Sequence, residues 1–321
     1  MILIISECID ITTGRVIKWL HKKNIKVFRI NEDELAEIIE LSIEDSLIDF
    51  VMKIGDTTIK YSDITAVYYR KGFLKISNAI PYEESKNHQI NYFLGKEIEI
   101  LQNFIFFLLE KKRHICSYDK RGLNKLKVLY FAKEIGLKIP ETYITGNEKS
   151  LKLILKNKCS DLITKNIYEA VHIADFNENE NINSKTYKVD DDLLKATSNL
   201  FLYSLFQKEI KKDFEIRSFY LSGKFYSSAI LSQSNEKTKI DFRNYDEEKP
   251  NRIVPYKIPN EIEDLLVNLF KKIKLNTGSV DLIFSNGEYY FLEINPVGQY
   301  SFISDACNYN IESYIADFLT N

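Results

Sequence analysis

The sequence predicts a mixed α/β and α+β protein, and three features of the chain support that prediction. Near the N-terminus a strand, a helix and a second strand follow one another at 2–6, 13–23 and 25–30, an order that favours a parallel sheet. The C-terminal half is mostly strands, some joined by the hairpin-turn sequences LSGK and SNGE. The length of 321 residues allows two or three modest domains, each with a buried core.

The first half of the chain continues with both kinds of element. FVMKIGDTTIKY predicts a short hairpin, and it is followed by a strand at 64–70 and a long helix at about 84–112. Another helix begins near 122, where Asn124 can cap it, and ends at Gly136. A helix at 147–157 and a strand at 161–167 come next, and the polar segment 174–185 predicts a mobile loop.

The second half is predicted to be a set of strands with one helix between them. The polar segment 234–256 is long enough to act as a lid. The predicted strands lie at 205–210, 214–221, 224–233, 278–284 and 288–294, and the helix at about 260–274.

Composition and charge exclude several classes of function. A net charge of −2 gives no general attraction to nucleic acid or to an anionic membrane. The most apolar windows, at 100–110 and 199–206, are too short to span a membrane, and MILIISECID reads as a first strand and not as a signal peptide. The four cysteines show no CxxC spacing, which is typical of small buried side chains in a reducing cytosol, so a cytoplasmic protein is expected.

The last predicted hairpin carries polar side chains within an apolar pattern. Glu293 and Asn295 share one face of the second strand, and Asp281 lies in the first. A two-residue turn would send Asp281 and Glu293 to opposite faces, whereas a three-residue loop places Asp281 opposite Phe291, on the face of Glu293 and Asn295. We predict a loop of odd length or a bulged strand, so that the three side chains converge.

Two carboxylates and an amide oxygen are the ligands of a hard cation such as Mg²⁺. The four histidines form no zinc-like spacing. An edge hairpin whose polar residues only meet solvent explains the same pattern, and on the local sequence both interpretations stay open.

Three cations between positions 125 and 217 favour a phosphate site beside that metal. Lys125 lies in the first turn of its helix, and Lys165 and Arg217 lie inside apolar strands, where a charge is costly unless it faces a cleft or a partner. Singly, each is more often a rim residue. The chain has no GxGxxG, no P-loop and no kinase HRD or DFG motif, so the phosphate site belongs to another fold.

The order of these motifs resembles the ATP-grasp superfamily. The segments that carry the likeness over about 117–321 are NKLKVLYFAKEIGLKIPETYIT, DLITK, FQKEI, FEIR, VDLIF and FLEINP. The resemblance implies an N-terminal α/β pre-ATP-grasp domain (1–115), a central ATP-grasp subdomain (116–204) and a C-terminal ATP-grasp subdomain with the metal site (205–321). ATP would lie between the two α+β subdomains.

AVYYRKG, KIDFRN and EINPVGQY followed by CNYNIE resemble, more narrowly, the graspetide synthetases, including the microviridin-type and grasp-with-spasm maturases. The implied activity is ATP-dependent activation of Asp/Glu side chains of a ribosomal precursor peptide as acyl phosphates. Ser/Thr hydroxyls or Lys amines would then attack and close rings. The implied partners are that peptide, with its leader near a helix that includes Asp191 and Asp192, and a second copy of the chain.

The resemblance also implies residue roles. Lys125 and Lys165 would hold the α- and β-phosphates, Arg217 the transferring phosphoryl group, and Arg243 the acceptor carboxylate. Pairing of Arg243 with Asp241 or Asp246 at the surface is the alternative for that residue. The other implied contacts are those of adenine to Gln207, Lys208, Glu209 and Ile210, and those of the ribose and phosphates to Lys212 and Glu215. Two Mg²⁺ ions would bind to Asp281, Glu293 and Asn295.

One departure from the family concerns the phosphate-covering loop, because 166–185 contains no glycine. Three other functions stay open. They are an amino-acid or glutamate ligase of the same fold that acts on small molecules or protein termini, a non-catalytic nucleotide-binding regulator, and a kinase.

Overall fold

The computed structural model describes residues 1–45, 48–77, 88–168, 172–173, 182–183, 186–235, 237–244 and 246–321. The N-terminal part contains β1 (Ile2–Ser6), α1 (Ile11–Lys22), β2 (Val27–Asn31), β3 (Leu35–Ile43), β4 (Ile48–Ile54), β5 (Thr57–Lys60), β6 (Ala66–Tyr69), β7 (Lys75–Ile76), α2 (His88–Leu109) and β8 (Arg113–Ile115). The middle part contains α3 (Lys125–Glu134), β9 (Thr142–Asn147), α4 (Glu148–Asn157), β10 (Leu162–Lys165), β11 (His172–Ile173), β12 (Ile182–Asn183), β13 (Tyr187–Lys188), α5 (Asp191–Ala196) and β14 (Leu200–Lys208). The C-terminal part contains β15 (Phe214–Leu221), β16 (Lys224–Leu231), β17 (Arg252–Tyr256), α6 (Asn260–Ile273), β18 (Thr277–Ser285), β19 (Glu288–Asn295), α7 (Ser301–Ala306) and α8 (Ile311–Thr320).

The N-terminal sheet has the order β2-β1-β6-β8 and is parallel throughout, as the βαβ pattern predicts. Its central strand β1 is fully apolar up to Ser6 and buried along its length. Asp10 caps α1 by accepting from the Thr13 backbone N–H at 2.7 Å. The C-terminal helix α8 returns to pack on α1, so Ile311 and Ile315 belong to the N-terminal core.

A second N-terminal sheet, ordered β5-β4-β3-β7, includes a strand that the sequence pattern missed. The predicted hairpin is the β4–β5 pair, with Gly55 at its turn. The missed strand β3 reads LAEIIELSI, and a bulge between Ile38 and Glu40 interrupts its pairing with β4. That bulge breaks the alternation that identifies a strand from sequence.

Besides the short pair β11–β12, two larger antiparallel sheets form the rest of the described part of the molecule. The middle sheet has the order β13-β10-β14-β9, and the last has the order β17-β16-β15-β18-β19. Helices α3 and α6 cover one face of the last sheet, where Ile216, Leu282 and Phe291 pack beneath them. The predicted helix end at Gly136 is confirmed, since Gly136 has a φ of +97° directly after the C-cap.

Several boundaries differ from the predicted ones. The segment 234–256 is not loop throughout, because 252–256 form β17 and pair with β16. Helices α7 and α8 and strand β8 were not predicted at all. The predicted loop 174–185 lies outside the described residues except for 182–183, as do the predicted helix positions 84–87.

Within the described ranges, none of the helices has the length and apolar character needed to cross a membrane.

Candidate functional site

The last hairpin, β18–β19, is closed by a two-residue turn, so the three-residue loop is wrong. Asn286 and Gly287 both have positive φ, 49° and 83°, as such a turn requires. Phe284 consequently pairs with Tyr289, the register that alone would separate the two carboxylates. A bulge between Asp281 and Leu282 then shifts the register by one residue.

The bulge places Asp281 directly opposite Glu293, and not opposite Phe291 as predicted. On its other side Asp281 pairs with Arg217 of β15, so the three residues form a row across three strands. Arg217 and Asp281 alternate with Ile216 and Leu282, which pack beneath α3 and α6, so they face away from those helices. The Asn295 amide donates to Asp281 Oδ2 at 3.2 Å, so the predicted grouping of Asp281, Glu293 and Asn295 on one face is confirmed.

Each carboxylate of this group already has a cation beside it. Arg217 Nη1 contacts both oxygens of Asp281, at 2.6 and 2.7 Å, and Arg217 also donates to the Gln299 carbonyl. Lys125, the first residue of α3, lies 3.0 Å from Glu293. These pairs are largely buried, which makes each charge costly to leave without its partner.

The charges shift the titration of both acids. Burial by itself would raise the pKa of Glu293, but Lys165 and Lys125 outweigh it and hold that pKa at about 2. Burial raises the pKa of Asp281, Arg217 opposes that shift, and the nearby Glu293 adds to it. Asp281 and Glu293 are thus two adjacent, largely buried carboxylates, each with a cation beside it.

The donor set fits a magnesium ion. All three side chains offer oxygen, the donor that Mg²⁺ prefers, and they come from adjacent strands of one sheet. Across the described ranges, no group of three or more His, Cys, Asp and Glu side chains could hold a metal, so a site here would depend on the Asn295 amide.

A cleft adjoins this group between the middle sheet and the last sheet. Lys165 enters it from β10 and is half-buried, and burial lowers its pKa while Glu293 opposes that shift. Ile163 of β10 and Leu292 of β19 supply apolar lining from the two sheets. The cleft therefore joins an apolar compartment to the carboxylate group at its end.

The end of β14 and the residues that follow it, which lead from the middle sheet to the last sheet, supply further lining residues. Gln207 is only 1% exposed; its Nε2 donates to Thr142 Oγ1 at 3.0 Å, while Oε1 has no hydrogen-bond partner among the described residues. Such a buried acceptor is a site for a donor from a bound molecule. Ile210 also lines the cleft.

Two neighbouring residues of this segment direct their charges elsewhere. Lys208 pairs with Glu141 at 3.2 Å, and Glu209 pairs with Lys188 at 3.0 Å. Lys208 is half-exposed in its pair, so a side-chain contact of Lys208 to a ligand would first have to break it.

Lys212 and Glu215 form a buried ion pair at 2.7 Å, and of the two only Glu215 lines the cleft. Ser232 donates to Glu215 at 2.7 Å, and Lys212 also donates to the Ile240 carbonyl at 2.9 Å. Burial raises the pKa of Glu215, and Lys212 opposes that shift. Through Ser232 and Ile240 the pair thus hydrogen-bonds to the segment that follows β16.

Arg243 projects from that segment toward the carboxylates. Its Nε and Nη2 hold Asp241 in two contacts of 2.8 and 2.7 Å, so the pairing considered as the alternative is present. The Arg243 side chain is nonetheless half-exposed and borders both the cleft and a second cavity. Pairing with Asp241 therefore fixes the guanidinium beside Glu293 instead of removing it from the site.

The second cavity, of about 590 Å³, lies on the other side of Glu293. The loop after β19 and the end of β6 line it together with Arg121. From the N-terminal sheet, Arg70 donates to the carbonyls of Val297 and Gly298. The N-terminal part thus forms one wall of the cavity beside the carboxylate group.

Sequence reasoning brought together the metal-type group and the cations but missed this wall. Arg121 carries one signal, because it stands in KRGLN, a stretch without any acid immediately before Lys125. The buried Arg70 had a signal as well, in an otherwise apolar strand, AVYYR. The cleft residues Thr186 and Phe242 had none, because only the fold brings them to the cleft.

A cleft between two antiparallel sheets, each packed with helices, is typical of an ATP-grasp fold when cations line it and an Asp/Glu/Asn group lies at its end. The comparisons with known families agree. The RimK-like ATP-grasp domain family matches residues 122–319, and the MvdD pre-ATP-grasp domain family matches residues 1–121. The chain therefore belongs to the RimK-like ATP-grasp family, with an MvdD-type pre-ATP-grasp domain before it.

Solved structures of similar fold cover the whole chain. The macrocyclase MdnC of Microcystis aeruginosa MRC, bound with precursor peptide MdnA, is 24% identical over 100% of both chains, with a TM-score of 0.79. A RiPP-associated ATP-grasp ligase of Chryseobacterium gregarium, in complex with ADP and a leader and core peptide, is 25% identical over 99% of this chain and 96% of that chain, again with a TM-score of 0.79. The ATP-grasp ligase PsnB, complexed with minimal precursor, Mg and ADP, is 16% identical over 99% and 96% of the two chains, with a TM-score of 0.73. Among curated proteins, no relative matches this chain.

Proposed function

We propose that this chain is an ATP-dependent ligase that cyclises a ribosomally made precursor peptide. It would activate Asp or Glu side chains of the peptide and join them to Ser/Thr hydroxyls or Lys amines. The observation that carries this proposal is the Asp281, Glu293 and Asn295 group, which lies between the cleft of the two sheets and the second cavity. The full-length likeness to ligases solved with precursor peptides supports the peptide as substrate.

ATP would bind in the cleft between the two sheets. Lys125 and Lys165 would contact the α- and β-phosphates. The charged hydrogen bonds to phosphate would offset part of the free-energy cost of burying the Lys165 ammonium group. Gln207 supports an adenine position, since its buried Oε1 can accept from an amino group. The remaining nucleotide contacts in the proposal are those of Lys208, Glu209 and Ile210 to adenine and of Lys212 and Glu215 near the ribose.

Asp281, Glu293 and Asn295 would hold Mg²⁺, and the proposal includes two ions. When bound, Mg²⁺ neutralises charge on the phosphates of the nucleotide. The ion pairs of Asp281 with Arg217 and of Glu293 with Lys125 favour the ionised form of each acid until then. Both cations lie close enough to the carboxylates to turn toward a phosphate once these acids acquire a different partner.

The chemistry has two steps. A carboxylate oxygen of the peptide attacks the γ-phosphorus of ATP and ADP leaves, which yields an acyl phosphate. A hydroxyl or amine then attacks the acyl carbon, loses its proton, and phosphate departs with the original carboxylate oxygen. Arg217 would stabilise the transferred phosphoryl group, and Arg243, oriented by Asp241, would hold the acceptor carboxylate in line.

The proposal has two protein-level partners. The leader of the peptide would contact α5, whose first turn exposes Asp191 and Asp192. A second copy of the chain would form a homodimer, which is supported by the apolar side chains that α2 exposes, Ile90, Tyr92, Phe93, Ile100 and Phe107.

The test is the mass of the peptide after reaction. The protein is incubated with ATP, Mg²⁺ and the peptide encoded beside its gene, and each new link should remove one water from the peptide mass. Arg243→Ala should keep nucleotide binding and lose the modification, and Arg243→Lys should restore little, because lysine cannot form the planar fork. An unchanged mass with every neighbouring peptide would favour a small-molecule ligase or a regulator, and full cyclisation by Arg243→Ala would remove Arg243 from the proposal.

A further inference from the structure

The second cavity, defined by the loop after β19, the end of β6 and Arg121, has more basic than acidic side chains in its lining. Six basic side chains line it, against the two acids Glu7 and Glu293. The six are Arg70, Lys71, Arg121, Lys125, Arg217 and Arg243. Those of the six that have no carboxylate partner are the ones available to an anionic ligand.

Five of the six cations have a carboxylate partner. Arg217, Lys125 and Arg243 have the partners described above. Arg70 lies 3.4 Å from Asp10, and Lys71 lies 3.5 Å from Glu7 in a loose, partly exposed pair. Their charges are therefore largely balanced within the chain.

Arg121 is different, because no carboxylate lies within 4 Å of it in the parts of the chain that the structure describes. Its Nη1 donates to the Tyr118 carbonyl at 2.9 Å, and its guanidinium lies 3.6 Å from the centre of the Tyr118 ring. Tyr118 is itself buried against Phe106, with ring centroids 3.8 Å apart. A rigid aromatic platform thus holds an exposed guanidinium whose remaining donors are available to an anion.

We infer that Arg121 binds a carboxylate of the peptide substrate, one other than the carboxylate being activated. Arg121 borders the second cavity and not the cleft, whereas Arg243 and Glu293 border both. An anion at Arg121 therefore lies in the second cavity, away from Lys165 and Gln207, which line only the cleft. Lys125 and Arg217 line this cavity as well, but both are paired with the carboxylate group, whereas Arg121 is not. This inference rests on the proposed function and makes Arg121 a determinant of specificity for peptides with several acidic side chains.

The experiment measures peptide and ATP kinetics for Arg121→Gln, Arg121→Lys and the control Lys120→Gln. Lys120 precedes Arg121 in the chain but does not line the cavity. Loss of one charge-assisted contact should raise the KM for the peptide about tenfold with little change in kcat or in the KM for ATP. Arg121→Lys should recover part of that loss, and Lys120→Gln should behave as the wild type.

A second arm identifies the anion by changing the peptide. Each Asp or Glu of the peptide is replaced in turn by Asn or Gln, and one such peptide should show the same KM with wild-type protein and with Arg121→Gln. An unchanged peptide KM in a folded Arg121→Gln protein would overturn the inference while leaving the proposed function in place. A raised KM for ATP alone would assign Arg121 to the nucleotide and also overturn it. If the wild-type protein modifies no peptide, the proposed function fails, and this inference fails with it.

Discussion

Lys165→Met separates a nucleotide contact from a structural role, because the two roles predict opposite results. The substitution keeps the aliphatic stem in β10 and removes only the ammonium group. Burial of the charged Lys165 side chain costs free energy of folding, as its lowered pKa indicates. After the substitution Glu293 would still have Lys125 as a partner at 3.0 Å. We therefore expect the free energy of unfolding without nucleotide to change by less than about 1 kcal/mol.

The affinity for ATP should fall far more than the stability. One hydrogen bond to a charged group contributes about 1.5–3 kcal/mol, which corresponds to an increase in Kd of about 10–150-fold. Isothermal titration with ATP and Mg²⁺ measures the affinity, and chemical denaturation measures the stability. Lys152→Met is the matched control, because Lys152 lies on α4 beside the same sheet and pairs at the surface with Glu148. Unchanged ATP affinity in Lys165→Met, or equal losses in both variants, would refute the assignment of Lys165 to the phosphates.

Three further outcomes follow from individual contacts. Glu293→Gln should abolish ATP turnover while the protein still unfolds in one cooperative transition; a fully active variant would contradict a metal role for Glu293. Arg70→Met should destabilise the protein by about 3–5 kcal/mol in chemical denaturation, because it leaves the buried Asp10 carboxylate without its cation, and a loss below about 1 kcal/mol would contradict that account. Alkylation at neutral pH, followed by intact mass, should label the exposed Cys8 first; Cys116 should react only on unfolding, since burial raises its pKa to about 12, and rapid labelling of Cys116 would be the contrary result.

The elements with regular patterns were predictable from sequence. The parallel N-terminal sheet follows from β1, α1 and β2, and the start of α3 follows from Asn124, whose side chain accepts from the Lys127 N–H. The grouping of Asp281 with Glu293 was also predictable, because both belong to one hairpin.

The exact pairing in that hairpin was not predictable. The turn at Asn286 and Gly287 suits a two-residue loop. Only the bulge in the middle of the β18–β19 pair brings Asp281 and Glu293 back to one face. Nothing local in the sequence marks a bulge between Asp281 and Leu282, because no glycine or proline stands at 281–282 or opposite them at 291–293.

The cavity wall depends on long-range contacts. Arg70 reaches residues more than 220 positions later in the chain, and no local pattern encodes such a contact. The same holds for α8, which completes the N-terminal core from the other end of the chain. These contacts create the second cavity, so its charge could be recognised only in the folded protein.

The central claim is that the protein transfers phosphate to a peptide carboxylate before it forms the new bond. The most direct measurement uses a peptide whose Asp and Glu carboxylates carry oxygen-18, incubated with the protein, ATP and Mg²⁺. Mass spectrometry of the released phosphate should show one labelled oxygen for each link formed, because phosphate leaves with the oxygen that attacked it. Links formed with unlabelled phosphate would contradict the account.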